Sequence, residues 1–571
     1  MQRTRRDILL FMGGGAAGAL LTPAPWRLVT DTALWSENWP GIPRPARGEI
    51  TARYTNCALC SAGCGVRARC VAGQPVSLAG VAAHPLSHGA LCAFGLTGHQ
   101  IPYHPRRLKQ GTPDEAAAAV SGAMAKRTPA EKVAVLDLLP GRAVSGSYQR
   151  AMAAIENGVY LAPPSPASVD LSNVRTVLSL GVPLLDGWGT PGNVHANRDH
   201  FRLIQAEPWE SPTAALADEW LQILPGSESA LAEAMKDPAA VPEAAQATGL
   251  TEKQIADLAN DSPLVLSDSG TDDRFLSSVS SVSDNSIRVL LIDESVPGAH
   301  IPWSAIEKKL VRDNPVVVAF AWSREGYARH AQFALPTAVY PELTTDIPAA
   351  VDCPAPVFRL ATSLIAPPAG MVDPSAFIAK LAGIDPGNPL QDRANAIYKA
   401  GLGTVFTSAD GKTTAIKDLK PEDFWKALNE GATWFGGTGE HLTRRRGDAE
   451  ELPGEPASET PRLRVSASEL FPLVVAFTGA SPATLASPLM SKLYQDSDLR
   501  LPPNTAALHP ETARAAGLEG AGRATLQTQF GSCVIALAPD PAIPPGMLAV
   551  SPGPEVLDIC GANTRAKVVA A

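Results

Sequence analysis

Five of the eight cysteines fall within residues 57–92. In "NCALCSAGCGVRARC" (56–70), Cys57 and Cys60 form C-x2-C, and Cys60 and Cys64 form C-x3-C. "GALCAFG" (89–95) then brings Cys92 after 27 intervening residues. Three thiols this close can turn inward from one tight loop, and a fourth can complete the set. Four thiolates around one site suit zinc or an iron–sulfur cube. Disulfides are the default for an exported chain but fit this spacing poorly. A c-type haem needs C-x-x-C-H, and Ser61 follows Cys60, so haem attachment is excluded here. Cys70 reads as a buried thiol. His84, His88, His99 and His104 crowd the same stretch, and histidine can carry protons near neutral pH. His84, just before Pro85, reads as a turn or core residue.

The rest of the chain must position this loop. With 571 residues there is room for roughly three or four domains of about 150 residues. The composition is 45% hydrophobic and 18% charged, enough to bury large cores. The 47 glycines and 52 prolines point to many turns and long connections rather than a coiled coil or bundle. A net charge of −9 argues against a nucleic-acid partner, which usually leaves a basic footprint. "KVAVLDLL" (132–139), "VRTVLSLG" (174–181), "FRLIQAEP" (201–208), "SPLVLSDSG", "SIRVLLIDE" and "PVVVAFAWS" are short apolar runs beside turn residues. They predict buried strands of parallel sheets in an α/β chain. Residues 440–462 are polar, charged and proline-bearing, and read as a linker. Beyond them, "RATLQTQ" and "SCVIALAP" predict strands of a further β domain. Cys533 and Cys560 there could pair as a disulfide, but read rather as two unrelated buried thiols.

The N-terminus, "MQRTRRDILLFMGGGAAGALLTPAPW", sets a twin arginine (Arg5, Arg6) before an apolar run from Ile8 to Leu21. Residues 1–30 therefore read as a twin-arginine export signal. The run is shorter than the roughly 20 residues that span a bilayer, and Pro23 and Pro25 stop it. Ala17-Gly18-Ala19 lies inside the run, so an uncleaved anchor remains open.

The cysteine pattern, ending in C-x-x-G, resembles the cluster domain of the molybdopterin oxidoreductase (DMSO reductase) superfamily. "VAAHPLSHGALCAFGLTG" and "YHPRRLKQ" (103–110) are similar to that family's segments leading into and out of the fourth cysteine. "AEPWESPTAALADEWLQILPGSESALAEAM" (206–235), "ARHAQFALPTAVYPE" (328–342) and residues 504–550 resemble later family motifs. The resemblance implies an α/β, multidomain fold. It has a cluster domain at 50–110, Rossmann-like parallel-sheet domains at 111–439 and a dinucleotide-binding-like β-barrel at 463–571. It also implies that Cys57, Cys60, Cys64 and Cys92 hold one [4Fe–4S] cluster.

Three departures bear on the metal that this family carries on two guanine-dinucleotide pterins. No cysteine lies between Cys92 and Cys353, and only Ser165, flanked by prolines, could serve as a protein ligand to molybdenum. Where the family places Lys or Arg between cluster and pterin, this chain has Phe94, which can only pack and exclude water. Where the family reads V-D-P-R and P-G-T-D, this chain has Glu207-Pro208-Trp209 and Pro225-Gly226-Ser227-Glu228. Molybdopterin guanine dinucleotide is therefore not expected.

Within the superfamily the chain resembles the molybdenum-free subunits of menaquinone reductase complexes, with alternative complex III as a relative. That implies an electron-transfer subunit on the periplasmic side of the membrane, within a quinone reductase complex. The implied partners are a multihaem cytochrome c subunit, a multi-cluster ferredoxin-like subunit, and a polytopic quinone-binding membrane subunit. Leu59, Leu91 and Phe94 would keep the cluster's surroundings apolar, and no residue of the chain is assigned a catalytic role. The alternatives are a catalytic molybdenum or tungsten bis-pterin oxidoreductase and a redox-silent scaffold subunit.

Overall fold

The computed structural model describes residues 5–21, 49–164, 168–185, 187–267, 271–436, 470–477, 502–561 and 564–571. The expected linker at 440–462 and Ser165 lie outside the described residues. A helix spans Arg5–Leu21, and its Leu9, Leu10, Phe11 and Met12 stand exposed. Among the described residues no helix is long and apolar enough to cross a membrane.

The cysteine-rich segment folds as an antiparallel sheet of β1 (Ile50–Asn56), β2 (Gly65–Val71) and β3 (Gln74–Gly80). Asn56 pairs with Gly65, so residues 57–64 are the loop that joins β1 to β2. The sequence pattern thus places three thiols on one hairpin loop, and the register puts Cys57 and Cys64 at its neck.

Next come β4 (Lys132–Asp137) and β5 (Gly158–Leu161), which open a parallel sheet. The chain leaves this sheet to build a second one from β6 (Thr176–Leu180), β7 (Arg202–Glu207), β8 (Glu219–Gln222) and β9 (Leu264–Ser267). It returns with β10 (Ile287–Glu294), β11 (Val316–Ala321) and β12 (Phe333–Pro336). The strand orders are β12-β11-β10-β4-β5 and β8-β7-β6-β9, and every neighbouring pair within them is parallel. Successive side chains of a strand point to opposite faces. Ala134, Leu136, Leu290 and Ile292 fill one core, while Val133, Val135, Val289 and Leu291 fill the other. Burial on both faces explains why these strands read as unbroken apolar runs.

A third sheet was not legible as such. It is antiparallel, in the order β13-β14-β17-β15-β16. Its strands are β13 (Thr345–Asp346), β14 (Val357–Ala361), β15 (Thr404–Phe406), β16 (Thr413–Ala415) and β17 (Thr433–Phe435). This sheet backs the cysteine hairpin. Thr55 Oγ1 donates to the Thr362 carbonyl at 3.0 Å, and Asn56 Nδ2 to the Leu360 carbonyl at 3.0 Å.

The C-terminal part closes as a barrel in the order β18-β22-β19-β21-β20-β23. Its strands are β18 (Leu473–Phe477), β19 (Thr505–Leu508), β20 (Arg523–Thr528), β21 (Gly531–Pro539), β22 (Met547–Ser551) and β23 (Arg565–Ala570). Cys533 and Cys560 are free thiols that share the barrel core. Burial, then the charge of Cys533, pushes Cys560 up to about 12.

Candidate functional site

The hairpin loop is closed by its own backbone. Cys57 N–H donates to the Cys64 carbonyl at 2.9 Å, and Gly63 N–H to the Cys60 carbonyl at 3.3 Å. Gly63 has φ +53°, a left-handed turn that favours glycine. Cys92 arrives from the other side, just ahead of the helix Ala93–Thr97. Cys57 and Cys64 are buried, whereas water reaches Cys60 and Cys92. Cys60 nevertheless sits in a recess crowded enough that burial raises its thiol.

The four thiols share one electrostatic neighbourhood. Burial raises Cys57 well above the ordinary thiol value, and the charges of Cys60, Cys64 and Cys92 raise it further. Burial, then Cys60, pushes Cys64 up to about 12, and Cys92 adds to this. Thiolates forced together this way need a positive core to hold them. Four cysteine thiols are the donor set that an iron–sulfur cube takes, each thiolate binding its own iron.

The apolar surroundings are as the sequence suggests. Cys57, Ala58, Leu59, Val66, Cys70, Val339 and Tyr340 form one core, against which Leu91 and Phe94 pack half-buried. Cys70 is fully buried. His84 is a core residue, as its place before Pro85 implies. Its Nδ1 accepts from the N–H groups of Leu86 and Ser87, at 3.3 and 3.2 Å. The ring proton is therefore on Nε2, which donates to Thr433 Oγ1 at 3.3 Å. Burial, helped by the charge of Arg359, drives His84 down to about 3. Burial also lowers His99 and His104.

Two residues at this site escaped sequence reasoning. Arg359, on β14, is fully buried, and its Nη2 donates to the Ser61 carbonyl inside the cysteine loop at 2.8 Å. Tyr340 is also buried, in the same core as Cys57 and Leu59. Neither stands near the cysteines in sequence, and no motif marks them. The only cue was an arginine within the apolar run "PVFRLA".

The parallel sheets provide two further places to inspect, because open α/β sheets bind ligands beyond the carboxyl ends of their strands where the strand order reverses. In the first sheet that reversal lies between β4 and β10. Here Arg142 Nη2 bonds Asp137 Oδ1 at 2.9 Å and Asp293 Oδ2 at 2.7 Å, and all three side chains are buried. Tyr148 and Tyr160 donate to Asp293 and Asp137, each at 2.8 Å, and Ser145 donates to Asp137 at 2.6 Å. The polar groups at these strand ends are spent on one another.

In the second sheet, Glu207 ends β7. Its Oε1 accepts from Ser211 N–H at 3.0 Å and its Oε2 from Gln205 Nε2 at 2.9 Å. Trp209 turns onto the barrel and packs against Ala507, Ile543, Met547 and Ala549. Burial raises Glu228, which Arg565 of the barrel partly offsets and Glu207 reinforces. The structure thus gathers Glu207, Trp209 and Glu228 at the seam between sheet and barrel, together with Arg565. The carboxylates of Asp137, Asp293 and Glu207 are bonded within the chain, Glu228 is buried, and an indole stands where the family pattern has a guanidinium.

With this geometry in view, comparison with known proteins is specific. Residues 50–104 match the molybdopterin oxidoreductase Fe4S4 domain. The chain has the molybdopterin oxidoreductase fold. Acetylene hydratase from Pelobacter acetylenicus superposes with a TM-score of 0.59, covering 91% of this chain and 100% of that one at 13% identity. The menaquinone reductase molybdopterin-binding-like subunit of Nitratidesulfovibrio vulgaris is 31% identical over 276 residues, 41% of this chain and 39% of that protein. A sulfite dehydrogenase subunit of Allochromatium vinosum is 26% identical over 224 residues, 32% of this chain and 23% of that protein. The matches thus span well under half the length of either relative, and both relatives are named as subunits of oxidoreductases.

Proposed function

We propose that this chain is an iron–sulfur electron-transfer subunit of a menaquinone reductase-like complex, working without molybdenum or tungsten. The observation that carries the reading is a contrast. Four thiols share one recess, while Arg142, Asp137 and Asp293 bond one another at the strand-order reversal of the first sheet and Trp209, in place of an arginine, packs on the barrel. Cys57, Cys60, Cys64 and Cys92 would hold a [4Fe–4S] cluster, which supplies a one-electron couple when bound.

The protein's own part is to hold charge and exclude water. Leu59, Leu91 and Phe94 keep the thiol recess apolar on one side. The four-thiol recess reaches the surface at Cys60 and Cys92, so a redox partner can dock within a short distance of it.

The same reading places the chain on the periplasmic side of the membrane, exported through its Arg5-Arg6 signal. There it would sit beside a multihaem cytochrome c subunit, a multi-cluster ferredoxin-like subunit, and a polytopic quinone-binding subunit. The kinship to the menaquinone reductase subunit supports this assignment.

The test is electron paramagnetic resonance of the reduced, purified chain. A [4Fe–4S] signal in the wild type that disappears in Cys60→Ser is the expected result. A Cys60→Ser chain that assembles into the complex and supports quinone reduction unchanged would overturn an electron-carrying role and leave a scaffold.

A further inference from the structure

Three arginines are buried among the described residues: Arg107, Arg142 and Arg359. Arg107 forms a double hydrogen bond with Glu342, and Arg142 is held between Asp137 and Asp293. Arg359 makes no ion pair among the described residues. Its Nη2 is satisfied by Ser61, but Nε and Nη1 are buried without any hydrogen-bond partner among those residues. Asp352 is close enough to be felt, yet its carboxylate accepts from Thr190 N–H at 2.8 Å and Asn193 Nδ2 at 2.9 Å instead. A guanidinium cannot shed its charge, and burying one unpaired costs several kcal/mol, roughly. An anion must therefore complete this site.

The position of Arg359 says which anion. A Cβ built on Gly63 would lie 2.3 Å from Cζ and 2.4 Å from Nε of Arg359, so the guanidinium lies directly against the loop between Cys60 and Cys64. Cys353, Cys64 and Cys60 are the charges that this guanidinium feels most. Tyr340 repeats the pattern on another side. It is buried, its hydroxyl has no partner among the described residues, and the charges it feels are those of Cys57 and Cys64. Two donor groups, both far in sequence from the cysteine loop, thus lie unsatisfied beside it and share Cys64 as a neighbour.

We infer that the Arg359 guanidinium and the Tyr340 hydroxyl donate hydrogen bonds to the sulfur atoms of the cluster that Cys57, Cys60, Cys64 and Cys92 would hold, and so set its potential. This rests on the cluster reading given above. Arg359 then replaces from β14 the cation that Phe94 cannot provide from the helix Ala93–Thr97. Gly63 leaves the room that the guanidinium needs. Reduction adds one negative charge to an already anionic group, and a fixed cation with aimed N–H and O–H donors stabilises that added charge. Arg359 and Tyr340 act here as positioning and tuning residues rather than as ligands.

The experiment is a redox titration of the holoprotein, followed by electron paramagnetic resonance, with iron and sulfide counted in every sample. Arg359→Met should shift the one-electron equilibrium toward the oxidised form by tenfold or more, a fall of about 59 mV per tenfold. Arg359→Lys should fall between it and the wild type, because it keeps the charge but not the fork. Tyr340→Phe should shift the equilibrium in the same direction by a few-fold. A merely structural role for these residues would change iron loading and stability but leave the midpoint of the loaded fraction in place. Wild-type midpoints in loaded Arg359→Met and Tyr340→Phe overturn the inference. Should Arg359→Met fail to load, unchanged midpoints in Arg359→Lys and Tyr340→Phe overturn it equally. A wild-type chain without cluster iron would defeat the cluster reading itself, and this inference with it.

Discussion

Arg142 and Arg359 are both sealed inside the protein, and their surroundings differ in one respect. Arg142 finds two carboxylates at the ends of β4 and β10, and the neighbouring hydroxyls close the set. Arg359 finds one carbonyl and keeps two donors unsatisfied. A buried polar network that satisfies itself can rigidify a fold and has nothing left to offer a ligand. A buried cation left incomplete is costly unless something binds there. The first region is a place where an α/β sheet commonly binds a dinucleotide, and the chain has filled it. The second is the cysteine loop, and the chain has left it ready for an anion.

The largest effect should come from breaking the closed network. Arg142→Met leaves Asp137 and Asp293 facing each other in the core, and should cost about 3–5 kcal/mol in denaturant unfolding. Whatever folds should still carry the wild-type iron content, because the network does not reach the cysteine loop. Iron lost in step with stability would mean that the two regions are not separate.

The neighbour of Asp293 sharpens the contrast through pH. Burial raises Asp293, but Arg142 and the hydrogen bonds from Ser295 outweigh it and hold the carboxyl below its ordinary value. Glu294 lacks such a cation. Burial pushes it up to about 7, against the N–H bonds from Tyr327 and Ala328 that lower it. A raised carboxyl value means that the folded state binds a proton which the unfolded chain releases. The contribution of Glu294 is therefore fully present below about pH 4.5 and is lost as pH rises toward 7. Its size is on the order of 3 kcal/mol across that window. Glu294→Gln should flatten the dependence of melting temperature on pH there, and an unchanged slope would assign that dependence to other groups.

A smaller effect is expected at Gly63. Gly63→Ala forces a side chain into the left-handed turn and into the Arg359 guanidinium. It should destabilise the chain by about 2 kcal/mol. It should also speed iron loss to a chelator. Wild-type stability and iron retention would show that the guanidinium does not lie against the loop.

Much of this was legible in the sequence, for identifiable reasons. The cysteine spacing placed three thiols on one loop because C-x2-C-x3-C is too short to be anything else between β1 and β2. The parallel strands were visible because burial on both faces leaves an unbroken apolar run, as in "KVAVLD" and "VVVAFA". The barrel strand "RATLQT" alternates because only one of its faces meets the core. The antiparallel sheet of β13 to β17 was not legible. Its strands are two to five residues long, and β14 pairs with β17 more than 70 residues later, so no local period records the pairing. Arg359 and Tyr340 were missed for the same reason, since tertiary folding alone brings them to the cysteines. Phe94 and Trp209 were legible as departures from a pattern. That Arg359 lies against the cysteine loop and that Trp209 packs on the barrel required the structure.

The most direct measurement is the content of iron, acid-labile sulfide, molybdenum and tungsten in the chain purified under native conditions from its own host. Four iron and four sulfide per chain, with neither heavy metal, are expected for one cubane. Stoichiometric molybdenum or tungsten, or a chain without iron, would contradict the account.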